Sequence, residues 1–224
     1  STTGKPDSTG SVGTAVEGAI KEVSELLDKL VKAVKTAEGA SSGTAAIGEV
    51  VADAGAAKVA DKASVTGIAK GIKEIVEAAG GSEKLKAVAA AKGESNKEAG
   101  KLFGKAGANN AGDSEAASKA AGAVSAVSGE QILSAIVTAA GAGEAEQEGK
   151  KPADAKNPIA AAIGKGDEED GAEFGKDEMK KDDQIAAAIA LRGMAKDGKF
   201  AVKDDEKGRA EGAIKGAAES AVRK

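Results

Sequence analysis

The sequence contains no histidine, cysteine, tryptophan or tyrosine, and only three phenylalanines. Without histidine and cysteine, the chain cannot form the usual zinc sites, disulfides, Cys or His nucleophiles, Ser-His-Asp triads or imidazole acid–base catalysts. Three phenylalanines are too few to build stacking platforms for nucleic-acid bases. The composition therefore excludes many catalytic classes, and it predicts no cofactor and no metal site.

Large apolar side chains are also scarce. Of 224 residues, 52 are Ala and 31 are Gly, whereas Leu, Ile, Val and Phe together number 38, about 17%, a share typical of disordered chains. A net charge of only −4 and the regular placement of these residues favour a folded chain instead. Acidic and basic residues are interspersed, so nucleic acid is not an expected partner. The longest apolar run, Ile185–Leu191, is far too short to span a bilayer.

The spacing of the large apolar residues predicts an all-α fold. A heptad seam predicts a helix near 14–38 with one buried face, and it consists of Val16, Ile20, Val23, Leu27, Leu30 and Val34. Apolar spacing with capping and stop residues predicts further helices near 64–79, 82–88, 114–127, 129–140, 158–163, 182–194 and 211–224. Because period-2 alternation is absent at useful length, we expect an elongated helical bundle with no β-sheet, or at most a trace.

The first 13 residues consist mainly of Gly, Ser, Thr, Lys, Asp and Pro. We therefore predict that residues 1–13 form a flexible linker before a single helical domain over 14–224. Four later stretches are rich in Gly, Asn, Asp, Glu and Lys, and we expect them to be exposed loops. They are Gly93–Gly112, Gly141–Lys156, Lys165–Lys176 and Asp204–Arg209.

Two local patterns have a functional and a plainer interpretation. Gly193–Phe200 comes close to a phosphate-binding P-loop, but Phe200 stands where the loop requires Ser or Thr, and the preceding segment is helical. It is better interpreted as a helix end followed by a turn. Lys29, Lys32 and Lys35 could contact sulfated glycans, although they alternate with acidic residues as ordinary i,i+4 pairs do.

Met179–Lys203 closely resembles a specific 25-residue segment, the sixth invariant region of the Vls (Vmp-like) variable surface lipoproteins of Lyme-disease spirochetes. Residues 17–35, 64–81, 116–140 and 157–164 also look like the constant framework of that family. The motif Glu-Gly-Ala-Ile-Lys occurs at 17–21 and again at 211–215, and these copies resemble the direct repeats that flank the exchangeable cassette. The resemblance therefore covers nearly the whole chain.

The resemblance implies a helical surface antigen that is not an enzyme. It implies display at the cell outer membrane through an acylated N-terminal Cys, which we expect to lie outside this chain, as part of a longer lipoprotein. Its cassette is rewritten by recombination, so host antibodies, its expected partners, lose their targets. The alternative is an adhesin for host extracellular matrix or glycosaminoglycan.

Two groups of residues follow from the resemblance and from the helical pattern. The constant antigenic segment comprises Met179, Lys180, Lys181, Asp182, Asp183, Gln184, Lys196, Asp197, Lys199, Phe200 and Lys203. The buried framework comprises Ile185, Ile189 and Leu191 together with the six seam residues of the first helix. Because Ile185–Leu191 is apolar all round, we predict that it lies inside the bundle and that its charged flanks, 179–183 and 196–203, reach solvent.

Overall fold

The computed structural model describes residues 8–40, 46–53, 59–165 and 171–224, and it confirms the helical prediction. The α-helices are α1 (Ser8–Ala40), α2 (Lys62–Ala78), α3 (Ser82–Lys86), α4 (Ser114–Ser125), α5 (Gly129–Ala140), α6 (Pro158–Ile163), α7 (Asp182–Met194) and α8 (Lys207–Arg223). Two 3-10 helices span Lys97–Phe103 and Glu144–Gln147. The sheet is a trace: β1 (Val50–Val51) pairs in parallel with β2 (Phe200–Ala201).

Several helices begin at the residues that their capping signals predict. The Asp113 carboxylate accepts a hydrogen bond from the Ala116 N–H at the start of α4. Ser128 and Gln131 form a reciprocal capping box at the start of α5. Asn157 caps α6, whose first residue is Pro158. Each cap pairs backbone N–H groups that have no partner within the helix.

The first helix departs from the predicted boundaries. It begins at Ser8, so residues 8–13 are helical and not a linker; residues 1–7 lie outside the described part of the chain. Its C-terminal end packs against α2 through very small residues. A Cβ added at Gly67 would lie 2.6 Å from the Ala40 Cβ, and one added at Gly71 would lie 2.7 Å from the Ala37 Cβ. These glycines therefore permit the close approach of α1 to α2.

The heptad seam of α1 is not buried, which corrects the sequence prediction. Ala33, Ala37 and Ala40 lie on the side that packs against α2, and Ala33 is only 1% exposed. The seam lies on the adjacent face: Leu30 is half-buried, while five residues are 50–63% exposed, namely Val16, Ile20, Val23, Leu27 and Val34. The pattern correctly marks an apolar face, but that face is not the one against α2.

The core is organised around α7. This helix packs against α2, α4, α5, α6 and α8 as well as the 3-10 helix at Lys97–Phe103. No single helix within the described ranges is long and apolar enough to cross a membrane. Helices α4 and α5 reach that length and apolar content only together, and they are bent by 100° relative to each other.

Three of the four predicted exposed loops are more deeply packed than their composition indicates, whereas no residue of Asp204–Arg209 is buried and its last three residues begin α8. Gly93–Gly112 contains the first 3-10 helix, whose Leu102 and Phe103 are buried. Phe174 and Ala155 are buried in two other stretches. Residues 166–170 of the Lys165–Lys176 stretch lie outside the described residues. These three connections therefore contribute to the core, and only part of each one faces solvent.

Candidate functional site

The centre of the 179–203 segment is a helix enclosed on every side. All seven residues of Ile185–Leu191 are at most 2% exposed. Successive residues on a helix point about 100° apart, so seven buried residues in a row require neighbours all around. Four of the seven are Ala, and their small side chains allow the surrounding helices to approach closely. The structure therefore places Ile185, Ile189 and Leu191 in the core.

The start of α7 is tied to a loop nearly ninety residues upstream. Asp182 Oδ1 accepts a hydrogen bond of 2.8 Å from Asn96 Nδ2, and the Asp182 N–H donates to the Gly93 carbonyl oxygen at 3.2 Å. A Cβ added at Gly93 would lie 2.0 Å from Asp182 Oδ2. Gly93 is thus required for the loop to approach this carboxylate.

The neighbouring carboxylate is held by backbone groups. Asp183 Oδ2 accepts from the Ala91 N–H at 3.1 Å, and Asp183 Oδ1 accepts from the Gln184 N–H at 2.9 Å. Asp182 and Asp183 are each only 4% exposed. Two acidic groups in the first turn interact favourably with the positive end of the helix dipole. These hydrogen bonds and the dipole compensate for the burial of both charges.

Arg192 is fully buried near the other end of α7, and the sequence analysis did not identify it. Its Nε donates to the Lys199 carbonyl oxygen at 2.7 Å, and its Nη1 donates to the Ala162 carbonyl oxygen at 2.9 Å. Burial lowers the pKa of Arg192 to about 10. The guanidinium remains protonated at neutral pH and joins α6, α7 and the turn before β2.

All three phenylalanines of the chain meet beside Arg192. The Phe103 ring lies 5.4 Å from the Phe174 ring and 5.7 Å from the Phe200 ring, and the Arg192 guanidinium carbon lies 5.4 Å from the Phe103 centroid. These are favourable distances for tilted aromatic pairs and for a cation–π contact. The aromatic cluster connects two predicted loops to the 179–203 segment.

The end of α7 is joined to the start of α2. The Lys196 N–H donates to Ser64 Oγ at 2.9 Å, and the Asp61 N–H donates to the Lys196 carbonyl oxygen at 2.9 Å. Ser64 Oγ in turn donates to the Ala40 carbonyl oxygen at the end of α1. One buried hydroxyl therefore links α1, α2 and the end of α7.

The P-loop-like motif is a helix end, as its plainer interpretation predicts. Asp197 adopts the left-handed conformation with φ of 59°. A Cβ added at Gly198 would lie 1.7 Å from the Arg192 carbonyl oxygen. Gly198 is therefore needed for the chain to turn back over the end of α7 and enter β2.

Two ion pairs connect the end of the segment to other parts of the fold. Lys199 Nζ lies 3.5 Å from Glu49 Oε1, and Lys203 Nζ lies 3.3 Å from Asp113 Oδ2. Partial burial by itself would raise the pKa of Asp113, but the hydrogen bond from the Ala116 N–H and the hydrogen bond and charge of Lys203 outweigh it. The net effect is a lowered pKa, so this carboxylate is stabilised in its charged form.

The flanks of α7 do not reach solvent as uniformly as predicted. Lys196 and Asp197 are exposed, whereas five residues are half-buried: Lys180, Lys181, Gln184, Lys199 and Lys203. Met179, Asp182, Asp183 and Phe200 are buried. The prediction is wrong for these four and for Ala201 and Val202, which are also buried. Asp182 and Asp183 are buried because Asn96 and backbone N–H groups satisfy their carboxylates. The other four are apolar side chains of the core.

Nothing in the described ranges forms a group of three or more His, Cys, Asp or Glu residues that could hold a metal ion. A groove of about 540 Å³ runs between α1 and α2, and its polar lining consists of glutamates and lysines. These charges alternate in sign, as on an ordinary solvated helix surface.

Comparison with known proteins identifies the family. The chain matches the Borrelia lipoprotein family over residues 2–224. It is 38% identical to variable large protein 4 and 39% identical to variable large protein 17 of Borrelia hermsii, over 207 and 210 residues. These alignments cover 91% and 93% of this chain but only 57% and 58% of the relatives. The chain therefore spans less than two thirds of their length.

The fold is also that of a solved antigen. The crystal structure of the Lyme disease variable surface antigen VlsE of Borrelia burgdorferi matches with a TM-score of 0.90 and 90% sequence identity, over 94% of this chain and 75% of that chain. Neither the family nor these relatives carries the name of an enzyme. The family resemblance found in the sequence is thus confirmed. The chain belongs to the Borrelia lipoprotein family and, within it, is of the Vls-type variable surface antigens.

Proposed function

We propose that this chain is the variable part of a surface antigen, in which exposed positions between helices are exchanged while the segment around α7 stays constant. The supporting observation is that Ile185–Leu191 is at most 2% exposed. An antibody cannot contact a helix enclosed by its neighbours unless the protein unfolds. A helix that stays constant in sequence therefore presents no fixed epitope to antibodies while the protein is folded. Its close packing also explains why substitutions there are not tolerated.

Exposed positions suited to exchange occur in the polar connections. They carry charged or small polar side chains, and they include Lys92, Glu94, Ser95, Asn109, Asn110, Glu144, Glu146, Lys150, Asp204 and Asp205. Substitutions at exposed sites without special contacts usually change the free energy of unfolding by less than about 0.5 kcal/mol. Such positions can vary widely while the fold is kept.

The buried anchors inside the same connections limit this exchange. Leu102, Phe103, Ala155 and Phe174 are at most 1% exposed, so we propose that recombination preserves them or replaces them by residues of similar volume. Exchange confined to the exposed positions alters the antigenic surface without opening the core.

Display at the outer membrane through a lipid anchor is part of the same proposal. The description of the family as lipoproteins supports it, as does the naming of the solved relative as a surface antigen. Host antibodies are then the partners that the exposed connections meet.

The experiment compares two antibody populations, one raised against the native chain and one raised against a peptide from α7. Antibodies against the native chain should lose a measurable fraction of their binding to a variant with Glu144 and Glu146 changed to Lys, whose melting temperature should stay that of the parent. Antibodies raised against a peptide of residues 182–194 should bind the denatured chain and fail to bind the folded one. Equal binding of the peptide antibodies to folded and denatured protein would contradict the proposal. Saturable, salt-sensitive heparin binding would favour the adhesin instead.

A further inference from the structure

The turn at the end of α7 is the most exposed part of the 179–203 segment. Within that segment only Lys196 and Asp197 are exposed, and every other residue is buried or half-buried. Under the function proposed above, both residues stay constant together with α7. The enclosure of Ile185–Leu191 therefore leaves two constant side chains within reach of an antibody.

Hydrogen bonds hold this turn in one conformation. The Lys196 N–H donates to Ser64 Oγ at 2.9 Å, and the Lys196 carbonyl oxygen accepts from the Asp61 N–H at 2.9 Å. Asp197 is left-handed, with φ of 59°, and its carbonyl oxygen accepts from the Lys199 N–H at 3.0 Å. A free peptide lacks the partners at the start of α2, so an antibody that fits this turn recognises the folded chain.

A surface depression of about 470 Å³ lies beside the turn, and its lining includes Asp197, Lys62 and Glu148. Lys62 Nζ and a Glu148 carboxylate oxygen form an ion pair, in which the two side chains are 51% and 56% exposed. Neither residue lies in the segments that resemble the constant framework. Exposed ion pairs contribute little to stability, so exchange at either position leaves the fold intact. A constant turn and an exchangeable ion pair therefore share one surface.

The depression lies far from both Ser8 and Lys224. It is at the start of α2, next to the end of α1 at Ala40, whereas Ser8 is about 48 Å away along α1. Lys224 lies against Gly129 at the start of α5, and this part of α5 packs beside residues 85–89, which follow the end of α2. Helix α2 itself is about 24 Å long. Segments that the longer relatives carry beyond either position would therefore start away from the depression.

We propose, on the basis of the function proposed above, that the turn and the ion pair form one composite antibody site, which we call the turn site. It comprises Lys196, Asp197, Lys62 and Glu148. An antibody typically covers about 800 Å² of its antigen, or about 20–30 residues. Two side chains fill only a small part of that area, so an antibody centred on the turn also contacts the ion pair. Exchange at Glu148 then changes the recognition of a turn that itself stays constant.

The test uses monoclonal antibodies raised against the folded 224-residue chain. Turn-dependent antibodies are those that lose binding on Lys196→Ala or on Asp197→Asn, since Asn tolerates the left-handed conformation. For these antibodies Glu148→Lys should raise the dissociation constant by at least about tenfold, because the reversed charge places like charges together in the interface. The matched control is Glu146→Lys, which should leave the dissociation constant unchanged. Glu146 is exposed in the same connection but lines a different groove.

The possible results separate the turn site from the proposed function. Turn-dependent antibodies that bind Glu148→Lys with the parent dissociation constant would overturn the turn site. Equal losses with Glu148→Lys and Glu146→Lys, or the absence of turn-dependent antibodies among those raised, would also overturn it. Melting temperatures equal to that of the parent exclude unfolding as the cause of a lost affinity. The proposed function fails by a different result, which is the binding of antibodies against residues 182–194 to the folded chain.

Discussion

Helices α1 and α7 have opposite relations between sequence pattern and burial. In α1 a regular heptad seam lies on one face, and most of that seam is exposed. In α7 seven consecutive apolar residues, four of them Ala, point in all directions and are all buried. A one-sided apolar pattern indicates that a face requires a partner, but it does not indicate that the partner lies within the described residues. An all-round apolar pattern requires neighbours on every side, which the bundle itself supplies.

The largest expected effect tests this comparison directly. Ile189→Ala should reduce the free energy of unfolding by about 2–5 kcal/mol, because Ile189 is buried among close-packed neighbours that cannot collapse freely into the space. Against a typical domain stability of about 5–15 kcal/mol, that loss is large. Leu27→Ala on α1 removes a side chain that is 55% exposed, so it should cost well under half as much. Urea unfolding of both variants checks the difference.

Helix positions were the most predictable part of the fold because their signals are local. Asp113, Ser128 and Pro158 mark helix starts within three residues of the backbone groups that they serve. The turn at Gly198 was also predictable, since glycine after an apolar helix is a common stop signal. These features depend on neighbours in sequence, which a single chain displays directly.

Within the 179–203 segment, only the burial of Ile185–Leu191 was predictable from the sequence. Phe103 and Phe174 lie in Gly-rich, charged stretches, and only their contacts with Phe200 and Arg192 explain their burial. Asp182 resembled a solvated charge because its partner, Asn96, is 86 residues away. Pairings across such distances leave no local periodicity. Arg192 had one signal that could have identified it: it directly follows the apolar run of a helix predicted to be enclosed.

A smaller effect is expected at the charged end of α7. Arg192→Met keeps an unbranched side chain of roughly similar volume but removes the donors to the Ala162 and Lys199 carbonyl oxygens. A buried acceptor left without its donor costs about 1–3 kcal/mol, and we expect a loss of that size. Lys32→Met on exposed α1 is the matched control and should change the free energy of unfolding by less than about 0.5 kcal/mol. Equal stability of the Arg192 variant and the parent in urea would show that these hydrogen bonds contribute nothing net.

The smallest expected effect concerns the ion pair that joins the end of the 179–203 segment to α4. The pKa of Asp113 is lowered in the folded chain by the Ala116 N–H and Lys203, so the folded state favours the charged carboxylate. Its contribution is present above the unfolded pKa of about 3.9 and is lost as the pH falls through the lower folded pKa. Asp113→Asn keeps an oxygen that can accept from the Ala116 N–H and removes only the charge, so at pH 7 it should cost about 0.5–1 kcal/mol. The variant and the parent should converge in stability only once the pH lies below the lowered folded pKa of Asp113, because both then carry a neutral side chain at this position. The α1 pair of Lys21 and Glu25 is longer and more exposed, so Glu25→Gln should change nothing measurable at either pH. A constant difference between Asp113→Asn and the parent across this pH range would show that the cap, and not the charge, accounts for the effect.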